Sequence, residues 1–335
     1  VEGGAPSNRR GFLRALMRDA AKGATEAAKV VGPPGLKPLL AAALPSEAPP
    51  EPAVVDATAP AIGAGLQPAR PAVRGVGVEE LLLWAVELGL IAQTPDLRRL
   101  AVDSVRLTPG AFDEGAWLGG EPELPDDVDW PHWGGGLLDL VAQIDLSALP
   151  LDLEQTGHLL LFFDTLRAPS GTSPGAEDAA RAIVIPLAAA EPPAGGEAMR
   201  LTRALMLPRL WAEPVQALGL DADEGERYRE LRARLAEEQG VELEDGAGRD
   251  VAYHRFLGLP NDVTGRMPFI CEAVSRDLDA NEVDPVDPDI EAASARWTLL
   301  AQISGTPAGR LFFWIPREDL QAGDFSTIRV VPDPG

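Results

Sequence analysis

Cysteine, lysine and long apolar runs are nearly absent from this 335-residue chain, and each absence removes a class of explanation. A single cysteine, Cys271, excludes an intramolecular disulfide framework and any zinc site built from paired thiolates. Only three lysines occur, all before residue 40, and 29 Lys and Arg stand against 52 Asp and Glu. The resulting net charge of −23 argues against a nucleic-acid partner, because phosphate binding needs clustered bases. No uncharged stretch approaches the roughly 18 apolar residues of a membrane span. What remains suffices for a core. Hydrophobic residues make up 45% of the chain, too many for wholesale disorder, and the length suits one large or two modest domains.

Charge is segregated along the chain. Residues 1–40 carry seven bases against three acids, a balance of +4. Residues 41–73 carry −2, which leaves −25 for residues 74–335. In the basic head (1–44), Phe12, Leu13, Leu16, Met17, Ala20, Ala24, Ala27 and Val31 recur at steps of three and four. This spacing predicts an amphipathic helix with Arg14, Arg18 and Lys22 on another face. Gly32-Pro33-Pro34-Gly35 then stops it. Phe12, Leu13, Arg14, Leu16, Met17, Arg18 and Lys22 are therefore candidate docking-helix residues. Arg9-Arg10 resembles a twin-arginine export motif, but Arg18, Asp19 and Lys22 interrupt the apolar core that such a signal needs. Residues 45–73 hold seven prolines, eight alanines and no aromatic residue, the composition of a disordered linker.

The body (74–335) mixes two periodicities. Val78–Leu90 and Asp96–Val105 read as helices, and Asp221–Gln239 as a charged surface helix. Leu137–Ile144, Leu159–Phe163, Ala182–Leu187, Leu201–Leu207, Pro268–Ala273, Trp297–Ile303, Arg310–Ile315 and Thr327–Val331 read as strands. Strands mixed irregularly with helices predict an α+β fold. A self-comparison adds a repeat. Gly119-Gly120-Glu121-Pro122, Ala142-Gln143-Ile144 and Phe162-Phe163 occur in the same order as Leu257-Gly258-Leu259-Pro260, Ala301-Gln302-Ile303 and Phe312-Phe313. Two pseudo-repeats, at about 110–190 and 250–332, are expected.

Three stretches carry a further resemblance: WLGGEPELPDDVDWP at 117–131, LVAQIDLSALP at 140–150 and GHLLLFFD at 157–164. HRFLGLPN at 254–261 and WTLLAQI…GRLFFWIPREDL at 297–320 continue it. Together they resemble the YwqG-like family, a bacterial domain of unassigned function, over about residues 105–332. The resemblance implies a mixed, largely antiparallel sheet with an internal duplication, and implies no established reaction.

Motifs for chemistry fail on inspection. Gly171-Thr172-Ser173-Pro174-Gly175 fits the pattern of a nucleophile elbow, but Pro174 lacks the N–H that the oxyanion hole requires. Gly75-Val76-Gly77-Val78-Glu79-Glu80 has glutamate where a dinucleotide fingerprint needs its third glycine. Asp277-Leu278-Asp279-Ala280-Asn281 begins like a calcium loop, but Glu282 and Pro288 occupy its glycine and closing-glutamate positions. Asp129, Trp130, His132 and Trp133 gather an imidazole, a carboxylate and two indoles. They suit either a general base beside a binding wall or a plug of core packing, and packing is the commoner use. Gln143 and Gln302 place amides inside apolar strands, facing a shared groove or bonding backbone within each half. Trp314, on the second Phe-Phe strand, completes the candidate cleft set.

These features predict a non-catalytic interaction or adaptor protein, an acidic body with a tethered basic docking helix and another protein as partner. The alternative is a small-molecule binder or enzyme using a cleft between the halves. No cofactor and no metal are expected, a membrane partner is disfavoured, and scarce cysteine suits the cytoplasm.

Overall fold

The computed structural model describes residues 75–110, 115–151, 155–167, 170–175, 179–187, 191–240, 254–261 and 265–333. The expected docking helix and linker lie outside the described residues. The first elements are α1 (Val78–Glu87) and α2 (Thr94–Leu100). In α1, Leu81, Trp84 and Ala85 fall on one buried face, as a helical period requires. Pro95 stands in the first turn of α2, where a missing N–H costs nothing. The sequence pattern extends this helix to Val105, but the chain turns at Ala101 into β1 (Val102–Pro109). Val105 and Leu107 then alternate onto the core face of a sheet, which overrides the helical reading.

The chain continues through β2 (Gly115–Leu118), a small hairpin of β3 (His132–Trp133) and β4 (Gly136–Leu137), β5 (Asp139–Asp145), β6 (His158–Phe163), β7 (Ala180–Ile185) and β8 (Glu197–Met206). Next come α3 (Glu213–Gln216), α4 (Ala222–Glu238), β9 (His254–Phe256), α5 (Met267–Ser275) and α6 (Pro288–Ser294). The last elements are β10 (Trp297–Thr306), β11 (Gly309–Pro316), α7 (Arg317–Ala322) and β12 (Arg329–Asp333). The apolar run at 268–273 forms α5 rather than a strand. Such short runs suit either state, and here Pro268 opens a helix that buries Met267, Phe269, Cys271 and Val274. Asp221 begins α4 with a reciprocal capping box, accepting from the N–H of Glu224 while the Glu224 side chain accepts from that of Asp221.

The fold is mixed α+β. Ten strands form one sheet in the order β12-β11-β10-β9-β1-β8-β2-β5-β6-β7, and neighbours run antiparallel. The sheet curls toward a barrel. Leu159, Leu161 and Phe163 of β6 share one interior cluster with Leu311, Phe313 and Ile315 of β11. The turn at Phe325–Thr327, just before β12, packs against β7 and so brings the two edges together. The loop at 170–175 straps that closure. Gly171 lies so close to β12 that a Cβ would sit 2.3 Å from the Val330 carbonyl oxygen. Thr172 O accepts from the Ala280 N–H at 2.8 Å, and Ser173 Oγ donates to Asp279 at 2.6 Å. The outer face is covered by α1, α2 and α4 over β8, by α5 over β10 and β11, and by Trp130 and Trp133 over β5 and β6.

The strand order also reads alike outward from the central β1–β8 pair: β9, β10, β11, β12 on one side and β2, β5, β6, β7 on the other. Register irregularities fall at matching places, between Leu140 and Ala142 and between Leu299 and Ala301. After β2, Gly119 and Gly120 have φ of 63° and 89°, and after β9, Leu257 and Gly258 have 58° and 87°. The Phe-Phe pairs are offset, however. Ala142 pairs with Leu161 and Ala301 with Phe313, so Phe162 matches Trp314 rather than Phe312.

Candidate functional site

Antiparallel pairing brings the end of β1, the start of β8, the start of β9 and the end of β10 to one mouth of the curled sheet. A recess of about 630 Å³ opens there, within the several-hundred-Å³ range of ligand pockets. Its aliphatic wall is one end of the interior cluster: Leu107, Val141 and Ile303, which are buried, and the half-buried Leu118. Asp139, Thr165, Glu197, His254, Ser304 and Thr306 add polar groups, and among the described residues no Lys or Arg lines it.

Local structure fixes several of these groups. Asp139 opens β5, and its Oδ2 accepts from the Thr165 hydroxyl at 2.6 Å. Glu197 opens β8 on the exposed rim. Thr306 Oγ1 donates to the Gly309 carbonyl at 2.9 Å, closing the β10–β11 turn. His254 opens β9 opposite Leu107, and its Nδ1 accepts from the Ser304 N–H at 3.3 Å. Burial pushes its pKa down to about 4, so the ring is neutral at pH 7 and its proton sits on Nε2. With a backbone N–H as partner and so low a pKa, His254 is a poor general base near neutrality.

The sequence-predicted residues lie elsewhere. Asp129 and His132 are exposed. Trp130 donates from Nε1 to the Leu138 carbonyl at 2.9 Å and meets Phe162 edge-on, with ring centres 5.5 Å apart. Trp133 lies 4.8 Å below the Arg167 guanidinium. Both indoles pack over Leu138, Leu140, Leu160 and Phe162.

Gln143 and Gln302 are fully buried on β5 and β10, with β9, β1, β8 and β2 between them in the sheet. Gln143 Nε2 donates to the Glu191 carbonyl at 2.9 Å and lies 3.2 Å from His158 Nδ1. Gln302 Oε1 accepts from the Asn261 N–H at 2.9 Å. Each amide thus bonds backbone on its own side of the sheet. Gln143 Oε1, Gln302 Nε2 and Trp314 Nε1 have no hydrogen-bond partner among the described residues. Trp314 is buried beneath α5. None of these seven residues lines the 630 Å³ recess. The docking-helix candidates lie outside the described residues.

Two other features are already occupied by structural work. A second recess, of about 90 Å³, is lined by Arg106, Arg232 and Arg255. Arg106 donates to the Gln239 carbonyl at 2.7 Å and Arg255 to that of Leu259 at 2.6 Å. Glu272 of α5 is a buried carboxylate receiving Arg276 Nε and Arg296 Nε at 2.8 Å and Trp297 Nε1 at 2.9 Å. Burial alone would raise its pKa, but these three donors outweigh burial and hold it below the ordinary value. Burial pushes the Cys271 thiol far up, so it is no nucleophile at neutral pH. Among the described residues no group of three or more His, Cys, Asp or Glu is placed to hold a metal ion. No helix among them is long and apolar enough to cross a membrane.

The recess residues escape sequence reading because they arrive singly from positions 107 to 307, with Asp139, Glu197 and His254 in no common motif. The one usable signal was the repeat. It marks the residues just beyond Ala301-Gln302-Ile303 and just before Arg255-Phe256 as the ends of neighbouring strands.

No curated protein matches the chain. Residues 116–333 match the family described as "Domain of unknown function (DUF1963)", and they contain both Ala-Gln-Ile elements, most of the recess and the sheet strands from β2 onward, but not β1. The chain belongs to that family, the YwqG-like family that its sequence resembles.

Proposed function

We propose that the body is a non-catalytic binding module that seats a small ligand in the 630 Å³ recess. The observation that carries this reading is the recess itself, an aliphatic wall with a few convergent polar groups at one mouth of the sheet. The low-pKa imidazole, held by a backbone N–H, favours binding over catalysis. The test is a fragment screen by ligand-observed NMR on the full-length chain, repeated on Leu118→Trp, which fills part of the recess. Competing hits that disappear in the variant support the reading. Hits that persist unchanged, or none at all, defeat it.

The same proposal takes the body as an internal duplication, supported by the matched strand order, bulges and left-handed residue pairs. A cytoplasmic setting accords with a lone buried thiol.

Charge segregation favours a second reading, an adaptor for another protein. The basic head at 1–44, with +4 on residues 1–40, and the −25 body engage separate sites on the partner through the linker at 45–73, raising avidity through effective concentration. Deletion of residues 1–73 then lowers partner recovery in a pull-down, and unchanged recovery sinks the bivalent arrangement.

A further inference from the structure

Resting on the reading of the recess as a binding site, we propose that its ligand is a neutral molecule with an amide carbonyl, whose oxygen accepts a hydrogen bond from His254 Nε2. The register of the sheet brings this ring to the mouth. His254 is the cross-strand partner of Leu107 and stands two residues before Phe256. Both of those side chains belong to the interior cluster, so the period of a strand turns His254 to the same face. There it lines the recess, half-buried. Geometry also sets its tautomer. The Ser304 N–H can donate only to a bare ring nitrogen, so its 3.3 Å bond to Nδ1 leaves the proton of the neutral ring on Nε2. That N–H has no hydrogen-bond partner among the described residues. The Thr165 and Thr306 hydroxyls, by contrast, already donate to Asp139 and to the Gly309 carbonyl. His254 is thus a donor held in place before any ligand arrives.

A single neutral donor discriminates between ligand charges. A carboxylate or phosphate would lose hydration there without meeting a cation, because the ring is uncharged at pH 7 and among the described residues no Lys or Arg lines the recess. An ammonium group has no lone pair to accept with, so Nε2–H stays unmet. A carbonyl oxygen accepts from it without bringing a charge into the recess, and an amide oxygen is a stronger acceptor than that of an ester or ketone. The apolar part of the ligand meets Pro109, Pro307 and the half-buried Leu118, the apolar side chains of the lining that keep surface to be covered.

The test uses the full-length chain with ¹⁵N-labelled histidine, which gives only three imidazoles to follow. The His254 ring, assigned by its loss in His254→Asn, is expected as the Nε2–H tautomer at pH 7. Three probes then share one apolar body: hydrocinnamamide, hydrocinnamate and 3-phenylpropylamine. The amide is expected to bind about tenfold more tightly than either charged probe and to shift the His254 Nε2 resonance. His254→Asn, whose Oδ1 still accepts from the Ser304 N–H, should weaken the amide about fivefold, or about 1 kcal/mol, the net worth of one neutral hydrogen bond. A proton on Nδ1 in the free chain overturns the inference. So does an amide that leaves the Nε2 resonance unmoved or binds His254→Asn as tightly as wild type. If a charged probe binds as well as the amide and Leu118→Trp abolishes that binding, the inference falls while the recess stands as a site. If none of the three probes binds, both the inference and the binding reading fall.

Discussion

Acidification should unload stability through His254 in a window largely above that of the carboxylates. In the folded chain burial keeps the ring neutral down to about pH 4, whereas the unexposed-to-exposed change on unfolding restores the ordinary value of 6.5. Between those values the unfolded chain binds the extra proton, so lowering the pH favours unfolding. The contribution is harmless above about pH 6.5 and grows as pH falls. It levels off near pH 4 after a loss of about 3 kcal/mol, at about 1.4 kcal/mol for each pH unit. The perturbation is His254→Asn, whose Oδ1 can still accept from the Ser304 N–H. Urea denaturation of both chains from about pH 7.5 to about pH 4.5 isolates this residue, because every other titrating group is common to both. These common groups include His158, which burial also lowers against the opposing pull of Asp145. The variant carries a constant offset from lost ring contacts, so the slope is the readout. Wild type should lose stability faster than the variant below about pH 6.5. Parallel curves at every pH would refute the buried neutral imidazole.

Other substitutions probe the frame around the recess. Glu272→Gln leaves Arg276, Arg296 and Trp297 without their shared carboxylate and should cost about 2–3 kcal/mol in urea unfolding at neutral pH. Because the Glu272 pKa is lowered in the folded chain, that difference should shrink as pH falls below the ordinary carboxylate value. Gly120→Ala and Gly258→Ala should each cost about 2–4 kcal/mol. Both residues have φ near +88°, and the new Cβ would lie 2.7 Å from the Gly196 nitrogen or 2.6 Å from the Ser104 Cβ. Gly171→Ala should push the 170–175 strap off Val330, and hydrogen exchange should then speed up in β12 while β1 and β8 stay protected.

Legibility in the sequence followed the physics of each segment. Leu159–Phe163 and Leu311–Ile315 were readable because continuous apolar runs opening shortly after a glycine can be buried on both faces of a sheet. The segment at 102–105 was misread because local helical spacing competes with pairing to β8, a partner about 100 residues away. The run at 268–273 was misread because six apolar residues suit a buried helix as well as a strand. The recess was invisible for a related reason. His254 borders it only because β9 inserts between β1 and β10, and Glu197 only because β8 begins beside the end of β2.

The proposed duplication would account for a recess at one end of the sheet and not at both. The two Ala-Gln-Ile strands, β5 and β10, are followed by unlike connections. After Ile144 the chain makes a short turn that sends Leu146 and Leu149 into the interior cluster, before β6 starts at His158. After Ile303 it makes a tight turn through Ser304, Gly305, Thr306 and Pro307 to Gly309, and these residues line open space instead. The strands beside them differ in the same sense. Extending the pairing of Arg255 with Gln302 by one step sets His254 opposite Ile303, where the first half sets Ala116 opposite Ile144. A small apolar residue in the filled half is thus replaced by a polar ring in the open half. In the proposed duplication the two ends of the sheet would be equivalent, and their unlike connections would close one with leucine while leaving the other lined by Asp139, Glu197 and His254. On this account, shortening the 146–156 connection should open a second recess at the far end, with loss of the Leu146 and Leu149 packing. Grafting that connection after Ile303 should abolish ligand binding without disturbing the β1–β8 pair.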